Sequence, residues 1–151
     1  MDLQSQYKKV EEAIAHLGVN IEEARCAEEG QWLLFRSDLE IYIDVWHEEA
    51  NEWSYHPNAM NEITFQVVCP ISKIEENDKK LFFYEDLLQM NFYTQKVSYF
   101  VNKAEGMLAC SHKRMMNDIT ISDLVEAVDA VGYYSDLAWK MLNQPYELKK
   151  V

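Results

Sequence analysis

The sequence predicts an α+β domain, an antiparallel sheet with helices in the order α-β-β-β-α-β-β-α. Three observations predict it. Apolar residues recur at helical spacing near both ends of the chain and once in the middle. Between those segments lie five short runs of strand type, bounded by turn residues. Finally, the 151 residues contain no internal repeat, low-complexity stretch or linker, so a single domain over 1–151 is expected.

Leu3, Tyr7, Val10, Ile14 and Leu17 are spaced alternately by four and three, with Lys8, Lys9, Glu11 and Glu12 on the other face. Gly18 follows the last of them, where a helix end favours glycine. This spacing predicts a helix over 3–17. Residues 20–30 are acidic and fit neither period. Trp32-Leu33-Leu34-Phe35-Arg36 reads as a strand, with Ser37-Asp38 supplying a turn. Over 39–47 the alternation is clearest: Leu39, Ile41, Ile43 and Val45 point one way, and Glu40, Tyr42, Asp44 and Trp46 the other. The aliphatic face is expected to meet helices. The second face mixes aromatics with acids, and Trp32 or Leu34 is a candidate to join it from the neighbouring strand.

A polar loop over 48–61 carries Trp53, Tyr55 and Pro57. A third strand follows, with Ile63, Phe65, Val67 and Cys69 on one face and Pro70 marking its end. Strands linked this briefly form an antiparallel meander most simply. Residues 78–92 read as a helix with Asp78 as N-cap. Leu81, Tyr84, Leu88 and Phe92 make one stripe, widened by Phe82, Phe83 and Leu87. A short helix apolar on several sides is buried on several sides, in one core or in a core plus a subunit interface. Val97, Tyr99 and Val101 begin a hairpin that turns at Lys103-Ala104-Glu105-Gly106 and returns over 107–113. The last helix opens at Thr120-Ile121-Ser122-Asp123, spaced as a capping box, and is expected to end near 143, before Pro145.

Fourteen basic against 26 acidic residues give a net charge of -12, with 48% hydrophobic and 13% aromatic residues. That is enough apolar material for an independent core. A phosphate backbone or an anionic membrane repels such a surface, so neither nucleic acid nor membrane is an expected partner. No stretch approaches the ~20 apolar residues that span a bilayer. Cys26, Cys69 and Cys110 are odd in number and form no CxxC pair, which reads as reduced thiols. Met1-Asp2-Leu3-Gln4-Ser5-Gln6 lacks the basic and apolar regions of a secretory leader, so the cytoplasm is expected.

Catalytic chemistry finds little support. The four glycines are isolated, which excludes the phosphate-binding loops. Asp44, His47, Glu48, Glu49 and His56 cluster in sequence, but at no metal-site spacing. Cys110 and His112 lie two apart on one strand face, so their side chains stand roughly 7 Å from each other. No catalytic residue, metal or cofactor is therefore expected.

Several of these segments carry a resemblance. Trp32-Leu33-Leu34-Phe35, Ile41-Tyr42-Ile43-Asp44-Val45-Trp46 and Val67-Val68-Cys69-Pro70-Ile71 are followed by Leu87-Leu88-Gln89-Met90-Asn91-Phe92, Val97-Ser98-Tyr99-Phe100 and Thr120-Ile121-Ser122-Asp123-Leu124. In this order, over about residues 3–143, the chain resembles the type III secretion chaperone-like fold. That fold includes the small acidic class I secretion chaperones and the bacterial sensory-transduction-regulator (YbjN-like) family. The resemblance implies no enzyme activity, a homodimer, and binding of an extended segment of a client protein. On it, Leu81, Tyr84, Leu88 and Tyr99 are dimer-contact candidates, and Trp32, Tyr42 and Trp46 are client-binding candidates. Two alternatives stand beside this reading: a small-molecule-binding or enzymatic domain with a pocket lined by Trp46, Trp53 and His56, and an acidic inhibitor or immunity-type protein that blocks a basic partner.

Overall fold

The computed structural model describes residues 2–54 and 62–151. Helix α1 spans Leu3–His16 and α2 Ile21–Ala24; strands β1 Gln31–Arg36, β2 Leu39–His47 and β3 Ile63–Lys73 follow. Then come α3 Lys80–Tyr93, β4 Ser98–Asn102, β5 Met107–Met115, α4 Ile121–Tyr146 and a two-residue β6, Lys149–Lys150. The strands form one antiparallel sheet in the order β1-β2-β3-β5-β4, with β6 added to β3.

Helices α1 and α4 pack against one face of this sheet, α4 over β2, β3 and β5 and α1 beside it over β2. The core between them holds Val10, Ile14, Ile41, Ile43, Phe65, Val67, Leu124 and Val131, all at most 3% exposed. Helix α1 starts where the Asp2 carboxylate accepts the Ser5 amide at 2.8 Å. It stops where Gly18 takes φ +78°, a left-handed conformation that costs glycine nothing. At the start of α4 the expected capping box is present. Thr120 Oγ1 accepts the Asp123 amide at 3.1 Å, and Asp123 Oδ2 accepts the Thr120 amide at 2.9 Å.

The two prolines expected to end elements do not. β3 runs through Pro70 to Lys73. Its ladder to β2 stops at Tyr42↔Val68, and its ladder to β5 shifts register between Pro70 and Ser72. Pro70 thus lies beyond one ladder and at a bulge in the other, where a missing N–H is tolerated. α4 continues through Pro145 to Tyr146 and ends at Glu147, in the left-handed region at φ 53°. Contacts beyond the helix hold that last turn. The Pro145 carbonyl accepts Lys79 Nζ at 3.3 Å, and the Tyr146 ring meets Phe83 edge-on at 5.2 Å. The expected N-cap Asp78 is replaced by Lys79, whose side chain makes no cap bond; the Asn77 side chain accepts the Lys79 amide instead.

α3 leans on the edge strand β4 and meets the helical layer at that last turn of α4. Only Phe83 and Leu87 of this helix are buried. Its last turn is fixed by Asn91, whose side chain accepts the Tyr99 amide at 2.7 Å and donates to the Tyr99 carbonyl at 3.0 Å.

Candidate functional site

The β-sheet has one covered face and one bare face, and register decides which residues stand on each. Cross-strand partners share a face. Leu33 pairs with Tyr42 and Tyr42 with Val68; Gln31 pairs with Asp44, Asp44 with Gln66 and Gln66 with Lys113; Trp46 pairs with Thr64 and Thr64 with Met115. These residues make the bare face. No helix packs on it among the described residues, and Phe35, Tyr42 and Met115 are exposed there.

Tyr42 donates its hydroxyl to Glu40 at 2.5 Å. That bond, then burial, pushes the phenol up to about 12. Trp46 is half-buried under Lys113, whose Nζ stands 5.4 Å from the ring centroid in a cation–π contact. Lys113 also lies 3.7 Å from Glu48, and Glu48 accepts the Thr64 hydroxyl at 2.7 Å. Burial, and after it the like charge of Glu28, raises the Asp44 carboxyl, and the Gln31 side chain opposes the rise. A depression of about 360 Å³ beside it is lined by Glu28, Glu29, Asp44 and Trp46.

Trp32 does not belong to this face. It pairs with Ile43, so it points into the helical layer and is 2% exposed. It meets Tyr7 edge-on at 5.8 Å and donates its indole N–H to Glu11 at 3.3 Å. Glu11 in turn receives a two-pronged bond from Arg25, at 2.7 and 2.9 Å. The Arg25 hydrogen bond holds the Glu11 carboxyl below its usual range. Nothing in the local sequence pattern joins these three residues, which sit on α1, the end of α2 and β1.

A second bare surface lies on α3. Leu81, Phe82, Leu88, Phe92 and Tyr93 are all exposed, Leu88 at 72% and Phe92 at 79%, while Tyr84 is half-buried. Tyr99 differs from the other residues expected at a dimer contact. It is 4% exposed within its own chain and donates its hydroxyl to the Tyr134 carbonyl at 2.7 Å.

The other chemical candidates separate. Cys110 is fully buried, and burial pushes its thiol up to about 12; the His112 Nδ1 lies 2.5 Å from the Lys96 carbonyl. A thiol so raised and an imidazole so engaged are not a nucleophile and its base. Asp44 and His47 stand on opposite faces of β2. Among the described residues no three His, Cys, Asp or Glu side chains gather as metal ligands. Trp53 is exposed in its loop, and His56 lies outside the described residues. No helix is long and apolar enough to cross a membrane among the described residues.

A sheet with α1 and α4 on one face and the apolar helix α3 at its edge is the type III secretion chaperone-like fold. Three solved structures that share it are an ExsC–ExsE complex, the Yersinia pestis type III secretion chaperone SycH with a stable fragment of YscM2, and YbjN from E. coli. The first superposes with a TM-score of 0.64 at 11% identity, over 94% of this chain and 97% of that one. SycH gives 0.57 at 12%, over 87% and 97%, and YbjN gives 0.55 at 14%, over 93% of each. The likeness is one of fold. No protein-family model and no curated protein sequence matches the chain.

Proposed function

We propose that residues 1–151 act as one non-enzymatic protein-binding domain, chaperone- or regulator-like. It works in the cytoplasm as a homodimer and holds an extended segment of a client protein. The observation that carries this reading is the pair of separate bare surfaces, one on α3 and one on the sheet. Exposed apolar patches of this kind mark protein contacts. The α3 stripe, Leu81, Leu88 and Phe92 with Tyr84 at its margin, suits a two-fold contact between copies. It is apolar, and each residue counts twice across the axis. Tyr99 supports α3 from beneath rather than meeting the other copy. Tyr42 and Trp46 offer the client surface. Solved proteins of the same fold hold protein partners, ExsC with ExsE and SycH with a fragment of YscM2.

The test is co-purification of the tagged protein from its native host, with partners identified by mass spectrometry at low and high salt. One dominant partner, bound through a segment without stable structure of its own, is the expected result. Salt-sensitive capture of a basic toxin or nuclease would instead make the protein an acidic inhibitor. Light scattering at micromolar concentration tests the homodimer, and a monomer there removes it from the reading.

A further inference from the structure

The bare sheet face carries a pattern as well as apolar area. Tyr42, Asp44 and Trp46 follow one another along β2 on that face, so they stand roughly 6.8 Å apart. The first is flanked by Leu33 and Val68, which makes it an apolar step. Among the described residues neither Asp44 nor Glu40 is in an ion pair, and Glu40 accepts the Tyr42 hydroxyl. Gln31 on one side of Asp44 and Gln66 on the other are neutral. Trp46 already holds one cation on its ring, the Lys113 ammonium at 5.4 Å, with Glu48 behind it. Along one strand the face therefore reads aromatic, acidic, aromatic.

We infer that this face recognises an extended client segment whose inward side chains are apolar, basic and apolar at positions i, i+2 and i+4. The inference rests on the protein-binding reading above and specifies the chemistry of the client. An extended peptide repeats its side chains at the same spacing as β2, so its three inward residues fall on Tyr42, Asp44 and Trp46 in turn. A lysine or arginine at the middle position meets Asp44 beside the acidic depression lined by Glu28 and Glu29. Charge decides against a second copy as the occupant. Copies facing each other here would set the carboxylates of Glu40 and Asp44 against like charge.

Fluorescently labelled peptides with a Leu-Thr-Lys-Thr-Leu centre, and matched peptides with Gln or Glu for Lys, test this by anisotropy at low and high salt. The Lys peptide is expected to bind about tenfold more tightly than the Glu peptide at low salt, with the gap narrowing at high salt. Asp44→Lys is expected to reverse the order, and Asp44→Asn to flatten it. Circular dichroism of both variants establishes that they fold. Equal affinity for the Lys and Glu peptides, no binding of any peptide, or an order unchanged in Asp44→Lys would overturn the inference. A co-purified partner bound equally well by Asp44→Lys would discard this inference and leave the protein-binding reading standing.

Discussion

The two faces of β2 come from the same nine residues and do opposite things. Leu39, Ile41, Ile43 and Val45 are buried under α1 and α4, while Glu40, Tyr42, Asp44 and Trp46 stand on a face no described element covers. One face is filled by aliphatic side chains that interdigitate with two helices. The other carries large rings next to carboxylates, a combination that a packed interior excludes because an unpaired carboxylate resists burial. Alternation along a strand can thus divide stability from recognition, and the two can be perturbed separately.

The largest effect is expected on the covered face. Phe65→Ala should cost about 3–5 kcal/mol and lower the melting temperature by roughly 10–15 °C in a thermal scan. Trp32→Ala should behave in the same way, because its ring is core despite its sequence neighbourhood. On α3, Leu88→Glu should weaken self-association at least about tenfold in light scattering while leaving the fold intact. On the bare face, Trp46→Ala should change stability by no more than about 1 kcal/mol yet weaken client capture strongly. If Trp46→Ala instead unfolds the protein, the contrast between the faces fails.

Smaller effects sharpen the picture. Glu11→Gln removes the charge facing Arg25 and one of the two oxygens that accept from Arg25 and Trp32, and should cost about 1 kcal/mol at pH 7 in denaturant titrations. Because the native carboxyl is held low, its stabilisation is present above the unfolded pKa of roughly 4.3 and is lost as pH falls. The difference between wild type and Glu11→Gln should therefore close in acid. Smallest is a chemical readout. Burial pushes the Cys69 thiol up to about 11 and that of Cys110 to about 12, so a thiol reagent should titrate half-buried Cys26 first. The other two should react only on unfolding.

Much of this layout was legible in the residues. The three-and-four spacing from Leu3 to Leu17, the alternation over 39–47 and the Thr120–Asp123 box each state their local structure directly, and each is found. What escaped depended on partners. Trp32-Leu33-Leu34-Phe35 is apolar throughout, so no alternation tells which residues face inward; only the pairing of Trp32 with Ile43 decides it. Pro70 and Pro145 read as endings because their neighbours were invisible: a bulge beside one, and α3 contacts beside the other. Tyr99 was expected at a dimer contact, but its ring is held inside by the Tyr134 carbonyl. The Glu11–Arg25–Trp32 junction joins three elements that no periodicity connects.

Asn91 has a consequence for life in a crowded solution. An edge strand offers unpaired amides and carbonyls on which a foreign strand can grow. At Tyr99 both groups are already engaged by one carboxamide, which copies the hydrogen-bonding pattern of a neighbouring peptide unit. The helix that carries Asn91 is the same one that exposes Leu88 and Phe92. Lifting that helix would therefore bare a polymerisable border beside a greasy surface that is already exposed, so a single side chain stands guard over aggregation on that flank.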